Sequence, residues 1–232
     1  MKIIGILAGS HTQKEPLARS LLLCLGAEKV TTVAIADGIK EIICDCFLIE
    51  EHDVERWKQL RASPPSWSMT MRAAMHHIGE SFRTIDPNIW LKRQLDGQLD
   101  SVETEYMIVT DLRYAEEVAM VQTREGIVVA LTTPPVKDEG GVTHDRADRA
   151  DRADRKELRG SERLSAELSQ RVARVRTLDH DAFSTLLEGL DIPINGDEES
   201  VHVDYIVKNS GDLAELSASA QSLVSTMSFP HV

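Results

Sequence analysis

Several basic residues of this sequence stand where they could bind phosphate, and an acidic residue stands where it could bind the metal ion that accompanies phosphate. In the stretch AGSHTQKEP, Lys14 lies between a strand-like run and a helix-like run. A phosphate-binding loop of the pattern G-x-x-x-x-G-K-[ST] surrounds phosphate oxygens with backbone N–H groups at a helix N-terminus, and its lysine adds charge. Here Ala8 and Gln13 replace the two glycines, so an ordinary strand–turn–helix junction is the alternative interpretation.

A second group is the arginine pair Arg72 and Arg83, in the helix-like segment Met69–Leu95. The two are eleven residues apart, about three helical turns, which places them on one side of a helix or just past its end. Guanidinium groups bind phosphate oxygens in pairs, so the spacing suits a phosphate monoester. Two surface arginines without a ligand are the alternative. The neighbouring His76 and His77 are predicted to be packing or surface residues.

The third group is Asp111 with Arg113, at the end of the apolar run YMIVTD. Ligands of open parallel sheets bind beyond the carboxyl ends of the strands. An aspartate there can hold Mg²⁺ directly or through water, and an arginine two residues later can reach the same phosphates. The alternative is a helix cap with a surface salt bridge. No Ser/His/Asp, Cys/His or zinc-type spacing stands out, and the three cysteines are predicted to be reduced thiols.

Short apolar runs predict the elements that must position these residues. Five runs are typical of strands buried in a parallel sheet: Lys2–Ala8, Val30–Ala36, Tyr106–Asp111, Ile127–Thr133 and His202–Asn209. Helical patterns lie between them, at Leu17–Ala27, Asp37–Ile49, Ser68–Phe82, Pro87–Leu99, a segment closed by Gly126, and a last helix capped by Asp212. This alternation predicts an α/β protein with right-handed crossovers.

A charged insertion separates the fourth and fifth predicted strands, at residues 136–179. Between Asp145 and Arg176 it carries ten Lys/Arg and seven Asp/Glu, whereas the rest of the chain carries 16 basic and 31 acidic residues. Its repeat RADRADRADR places Asp and Arg four residues apart, so a helix would be supported by weak ion pairs. Two interpretations stay open: a solvated helix, or a mobile lid whose arginines touch phosphate.

Length and charge exclude some function classes. The chain has 232 residues, enough for one large domain with an insertion, and a net charge of −12. Because duplex nucleic acid needs a basic footprint, it is not expected as a partner. No apolar run approaches the ~20 residues of a membrane span, and a cytoplasmic location (host cytoplasm if the protein is viral) is predicted. Exposed apolar positions on the last helix would permit a homodimer.

Six blocks in the same order resemble the phage deoxynucleoside monophosphate kinases and, more distantly, the animal-type phosphomevalonate kinases of the same P-loop superfamily. The blocks are IIGILAGSHTQKEPLARSL, IADGIKEII, MRAAMHHIGESFRTIDPNIWLKRQL, YMIVTDLRYAEEVAMV, IVVALTTPP and HVDYIVKNSGDLAEL. They cover most of the chain outside the insertion. The chain departs from the family pattern at His11 and Gln13 in place of glycines, Glu15 in place of aspartate, Pro16 in place of threonine, and TTPP without the arginine of R-P.

The resemblance implies a P-loop kinase-like, three-layer α/β/α fold with a mainly parallel five-stranded sheet. Residues 1–135 and 180–232 would form the core, and residues 136–179 an inserted helical lid. Its implied cofactors are ATP and Mg²⁺. The residues implied to bind ATP are Gly9, Ser10, His11, Thr12, Gln13, Lys14 and Glu15. Those implied to bind the monophosphate acceptor are Asp37, Lys40, Arg72, Arg83 and Trp90. Lys14, Asp111 and Arg113 would be catalytic, and Asp111 would organise the metal.

We therefore expect an enzyme that transfers the γ-phosphoryl group of ATP to a (deoxy)nucleoside 5′-monophosphate. The departures in the loop leave a second hypothesis open, a nucleotide-binding homologue that has lost ATP turnover. A third is a structural or interaction module that uses the basic insertion.

Overall fold

The computed structural model describes residues 1–8, 12–60, 62–98, 104–132, 135–137, 143–145, 186–194 and 199–227. The chain divides into two units, here called the sheet unit (Met1–Thr32 with Glu103–Val232) and the helical unit (Val33–Val102). The strands are β1 (Lys2–Ala8), β2 (Val30–Val33), β3 (Tyr106–Leu112), β4 (Ile127–Leu131), β5 (Pro135–Lys137), β6 (Thr143–Asp145), β7 (Leu186–Ile194) and β8 (Glu199–Val207). The helices are α1 (Lys14–Leu25), α2 (Asp37–Phe47), α3 (Glu51–Leu60), α4 (Met71–Arg83), α5 (Ile89–Gln98), α6 (Ala115–Thr123) and α7 (Leu213–Thr226).

The main sheet has six strands in the order β2-β3-β1-β4-β8-β7. β1 runs parallel to both β3 and β4, and β4 runs parallel to β8. These strands are apolar runs because helices cover both of their faces: every residue of β4, and all of β1 after Lys2, is buried. The predicted α/β class and five parallel strands are confirmed. The sequence did not predict β7, which pairs antiparallel with the outer side of β8.

Helices pack on the two faces of this sheet and form a three-layer α/β/α arrangement. Leu17 and Leu21 of α1 share a core cluster with Leu216 and Leu223 of α7. α6 buries Val118 and Val121. The sequence predicted that Gly126 closes this helix. The residue that takes the left-handed conformation at its end is instead Glu125 (φ 57°). The Gly126 N–H still closes the turn on the Val121 carbonyl at 2.9 Å.

Position 126 requires glycine because a side chain would not fit there, and not because of its φ angle. A Cβ atom at this position would lie 2.9 Å from the Val121 carbonyl oxygen and 3.0 Å from Ile3 Cβ. Gly5 in β1 is similar, because a Cβ there would lie 2.4 Å from a methyl group of Leu112. Both glycines therefore allow α6 and β3 to approach β1 closely.

The described part of the predicted insertion is not helical. β5 and β6 form an antiparallel hairpin, in which Lys137 pairs with Thr143. Asp145 therefore ends a strand, whereas the sequence predicted a helical pair with Arg149. The rest of the charged repeat lies outside the described residues, so the helical lid and its boundaries at 136 and 179 stay predictions.

The helical unit consists of α2 to α5 around a separate apolar core. Ile39, Ile43, Val54, Met71, Leu91 and Leu95 are among its buried side chains. α4 begins where the Thr70 hydroxyl accepts a hydrogen bond from the Ala73 N–H at 3.3 Å. Three predicted helices are found here with ends shifted by at most three residues, whereas α3 was not predicted.

Several predictions concern surfaces. None of the helices that the structure describes is long and apolar enough to cross a membrane. The three cysteines form no disulfide. In α7, Leu216 and Leu223 are buried while Leu213 is 58% exposed, so the apolar surface that this helix offers a second copy is mainly Leu213. A homodimer stays a prediction.

Candidate functional site

Four buried polar residues follow neighbouring strands of the sheet unit at one edge. Thr12 comes after β1, Asp111 lies at the end of β3, Thr132 follows β4 and Asn209 follows β8. Each is at most 6% exposed, although nearly all the surrounding core is apolar. Because the carboxyl ends of parallel strands meet at the same edge, these residues mark the edge where open α/β sheets bind ligands.

The connections leave this edge in opposite directions at the junction of β1 and β3. The chain runs from β1 through α1 to β2 on one side, and from β3 through α6 to β4 on the other. Such a reversal opens a crevice between the two strand ends. The segment before α1 and the segment before α6 flank it.

Lys14 is the first residue of α1, so the strand–turn–helix arrangement of the predicted loop is present. Gln13 occupies the N-cap position and its side chain makes no capping hydrogen bond. The N–H groups of Lys14 and Glu15 belong to the first turn, where helices lack internal partners. The predicted ATP-binding residues Gly9, Ser10 and His11 lie outside the described residues.

Asp111 and Arg113 lie on the other side of the crevice. Asp111 is 3% exposed, and the next residue, Leu112, pairs with Leu7 of β1. The start of α6 is capped by Glu117, whose carboxylate accepts from the N–H groups of Arg113 (2.8 Å) and Tyr114 (3.2 Å). The cap that the alternative interpretation assigned to Asp111 is therefore supplied by Glu117. Arg113 itself is exposed, with its backbone fixed by this buried carboxylate.

Asp111 is the residue predicted to organise Mg²⁺. Within the described ranges, no group of three or more His, Cys, Asp or Glu side chains could hold a metal ion. Mg²⁺ is commonly held by one or two carboxylates together with substrate phosphates and waters, so a single buried carboxylate at the crevice fits that mode and not an all-protein site.

A chain of hydrogen bonds that the sequence did not predict links the ends of β4 and β8 to the start of α1. The Asn209 N–H donates to Thr132 Oγ1 at 2.9 Å, and the Gly211 N–H donates to Asn209 Oδ1 at 3.0 Å. Gln13 Nε2 then donates to the Gly211 carbonyl at 3.2 Å. The turn-rich stretch NSGD directly after a buried strand was the one sequence feature that pointed to this corner.

In the helical unit, Lys40 is surrounded by carboxylates. Its Nζ lies 3.0 Å from Asp37 Oδ1, 2.9 Å from Glu55 Oε1 and 3.8 Å from Glu51 Oε1. Burial works to lower the pKa of Lys40, but the hydrogen bonds with Glu55 and Asp37 outweigh it and raise that pKa. Lys40 and Asp37 are thus brought together as predicted residues, but as an ion pair within α2, and Lys40 is joined to α3 through Glu55 and Glu51.

Arg72 and Arg83 lie at opposite ends of α4, about 16 Å apart along the helix axis. Arg72 is exposed, and its Nε donates to the Lys58 carbonyl at 3.1 Å. The Arg83 side chain is only 14% exposed, and its Nη1 lies 3.5 Å from Glu80 Oε1. The two arginines share a helix as predicted, but a single phosphate could be reached by both only if both side chains folded towards the middle of α4.

Trp90 lies inside the helical unit. It is 2% exposed, its Nε1 donates to the Gly79 carbonyl at 3.1 Å, and its ring packs 5.1 Å from Phe82. In this conformation it offers no surface to a substrate. Its predicted role in substrate binding therefore has no support from geometry, whereas a packing role does.

Comparison with known proteins adds no further assignment. No protein-family model matches this sequence, and a search of curated proteins found no significant match.

Proposed function

We propose that the chain is a nucleotide kinase that transfers the γ-phosphoryl group of ATP to a (deoxy)nucleoside 5′-monophosphate. The observation that supports this most is the arrangement around the β1–β3 crevice. Lys14 begins α1 on one side, and on the other Asp111 lies near the end of β3 and Arg113 directly follows that strand. A phosphate-binding lysine, a carboxylate and an arginine at a topological switch point are the groups that phosphoryl transfer requires.

Phosphoryl transfer depends on positioning and charge neutralisation more than on covalent chemistry. Lys14 and the first N–H groups of α1 would bind phosphate oxygens. Arg113 would neutralise charge on the transferred group, and its backbone is already fixed by Glu117. Asp111 would hold Mg²⁺, which supplies further charge neutralisation when it is bound to the phosphates. Arg72 is the most accessible of the residues expected to bind the acceptor monophosphate.

A second candidate is a protein that binds nucleotide without transferring phosphate, and two observations favour it. Glu15, in the first turn of α1, places a negative charge beside the proposed phosphate site, and Pro16 lacks one of the N–H groups of that turn. In the helical unit, the carboxylates around Lys40 already neutralise its charge. Both features weaken phosphate binding without removing Lys14 or Arg113.

Calorimetry and a turnover assay on the full chain distinguish the two. ATP–Mg²⁺ and each deoxynucleoside monophosphate are titrated separately, and product formation is then followed with both present. The kinase proposal expects binding of ATP and at least one monophosphate, with turnover. Lys14→Met should lower the ATP affinity at least tenfold, as expected for loss of a charged contact of about 1.4 kcal/mol or more.

Arg19→Met is the matched control, because Arg19 is an exposed cation on the same helix away from the crevice. It should bind ATP like the wild type. Binding of a nucleotide without any product would favour the second candidate, and no binding of any nucleotide would refute both.

A further inference from the structure

We infer that Gln13, which stands where the phosphate-loop pattern has a glycine, is a positioning residue that fixes Lys14 at the crevice. This inference rests on the proposed function for the ligand that Lys14 binds. The observation behind it is independent of that function: the Gln13 side chain does not cap its own helix but donates to the Gly211 carbonyl, 198 residues later in the chain.

The backbone of Gly211 is well fixed, because its N–H group is hydrogen-bonded as well as its carbonyl. Its N–H donates to Asn209, which is 1% exposed and is itself hydrogen-bonded to the buried Thr132. The Thr132 N–H in turn donates to the Val207 carbonyl at 3.1 Å. Gly211 adopts φ +90°, a conformation that other residues rarely take, so this turn is specific to glycine. The turn is therefore continuous with the carboxyl ends of β4 and β8.

The tether acts directly on the start of α1. Gln13 accepts the first hydrogen bond of this helix through its carbonyl, from the Leu17 N–H at 3.2 Å. Lys14 is the next residue, so its backbone is held between the tether on one side and the helix on the other. Deeper in the same interface, Leu17 and Leu21 pack against Leu216 of α7. A glycine at position 13 could not make this connection.

Folding stability alone does not account for how the side chains of Gln13 and Asn209 are arranged. Within the described part of the chain, Gln13 Oε1 and Asn209 Nδ2 are buried and accept or donate no hydrogen bond. An unsatisfied buried polar atom is destabilising, and each one in a native structure calls for a specific explanation, of which a functional role is one. The corner thus contains a fixed but incompletely satisfied polar cluster beside Lys14, which is what we expect where geometry matters more than stability.

The test begins without nucleotide. Gln13→Ala removes the tether, and Gln13→Glu replaces the donor amide with an oxygen that repels the Gly211 carbonyl. Residue-resolved hydrogen exchange should show the Gly211 and Leu17 amides exchanging about fivefold faster in both variants, the effect of losing one ordinary hydrogen bond. Unchanged exchange at both amides would overturn the inference, whatever the protein binds.

The second measurement uses ATP. Gln13→Ala should raise the KM for ATP about fivefold, with the KM for the monophosphate unchanged. In a double-mutant cycle, this effect should vanish in the Lys14→Met background, because Gln13 acts through Lys14. Additive effects would show that Gln13 has only a structural role and would overturn the inference. A wild type without nucleotide affinity would refute the proposed function and with it the role of Gln13, while the exchange result would still establish or refute the tether.

Gln122→Ala is the matched control. Gln122 Nε2 also donates to a distant backbone carbonyl, that of His202, at 2.9 Å, but at the other end of β8. Its loss should accelerate exchange only near His202 and leave the KM for ATP at the wild-type value. An equal rise in KM in this variant would mean that any loss of a tether weakens binding, which contradicts a specific role for Gln13.

Discussion

Trp90 contributes to the helical unit through both its ring and its one polar atom. Gly38 makes room for the ring, because a Cβ atom there would lie 3.2 Å from the indole, and the Gly79 carbonyl accepts its N–H. A residue so enclosed serves packing, even though the surrounding sequence resembles a block of a kinase family.

We predict that Trp90→Phe lowers the free energy of unfolding by about 1–3 kcal/mol, because it removes the hydrogen bond from Trp90 Nε1 to the Gly79 carbonyl and leaves part of the space of the indole unfilled. The KM for the acceptor monophosphate should not change. Urea unfolding and steady-state kinetics measure the two quantities. Trp57→Phe, at a half-buried position on α3, serves as the control and should cost less. A raised KM at unchanged stability would instead make Trp90 a substrate contact.

At the same scale, the sequence predicted where Lys14 and Asp111 lie but not what fixes them. Both positions follow from strand ends, which apolar runs reveal. The contacts of Gln13 and Asn209 could not be predicted, because they join side chains to backbone groups of remote segments. Such pairs leave no spacing pattern in a single sequence.

Among the elements, α2 and α3 are joined by ion pairs from Lys40 to Glu51 and Glu55. Burial works to raise the pKa of Glu55, but hydrogen bonds from Lys58 and Lys40 outweigh it, and the pKa of this carboxyl is lowered. The pKa of Lys40 is raised. Both shifts mean that the charged pair is more favourable in the folded protein than in the unfolded chain.

The pH dependence follows from these directions. A lowered carboxyl pKa stabilises the fold above the ordinary value of 4.5 and loses this effect as the pH falls. A raised lysine pKa stabilises the fold below 10.5 and loses it as the pH rises further. The contribution of the pair should therefore be largest between these values.

We predict that Lys40→Met lowers the free energy of unfolding by about 1–2 kcal/mol at pH 7, because three carboxylates lose their shared cation. The difference from the wild type should shrink as the pH falls below 4.5. Lys29→Met is the control, since the Lys29–Glu105 pair is about half exposed and screened by water, so its loss should cost less than the loss of Lys40. Denaturant unfolding at several pH values provides the measurement, and a pH-independent difference would contradict this account.

The elements themselves were predictable where burial is complete. β1 and β4 follow from continuous apolar runs, and β2, β3 and β8 were predicted from apolar runs that polar residues interrupt. β7 was missed because it contains Gly189 and Pro193, residues that strands disfavour and that an edge strand tolerates. α3 was missed because the sequence EHDVERWKQL is highly charged and buries Val54 alone among its residues. In both β7 and α3, contacts with the rest of the fold outweigh the local secondary-structure preference of the sequence.

For the molecule as a whole, the prediction concerns the charged insertion, which as a lid would exclude water from the proposed kinase during transfer. Its repeat lies outside the described residues, so the prediction concerns activity. Replacing the four arginines of RADRADRADR with glutamine should lower kcat for transfer and increase ATP hydrolysis relative to transfer, because a lid would no longer neutralise phosphate charge.

Replacing the three aspartates within the same repeat with asparagine is the control, and it should leave both rates near the wild-type values. Coupled assays for transfer and for hydrolysis supply the comparison. Wild-type kinetics in the arginine variant would support the alternative, a solvated segment without a role in the reaction.

The antiparallel strand β7 affects how easily another protein chain can pair with the edge of this sheet. It covers the outer side of β8 and brings a proline, which has no N–H to donate, to that margin of the sheet. At the opposite margin, β2 is only four residues long. The β2 margin is therefore too short to pair with a long strand of another chain, whereas along the nine residues of β7 the proline is the feature that interrupts the row of backbone donors and discourages intermolecular strand addition.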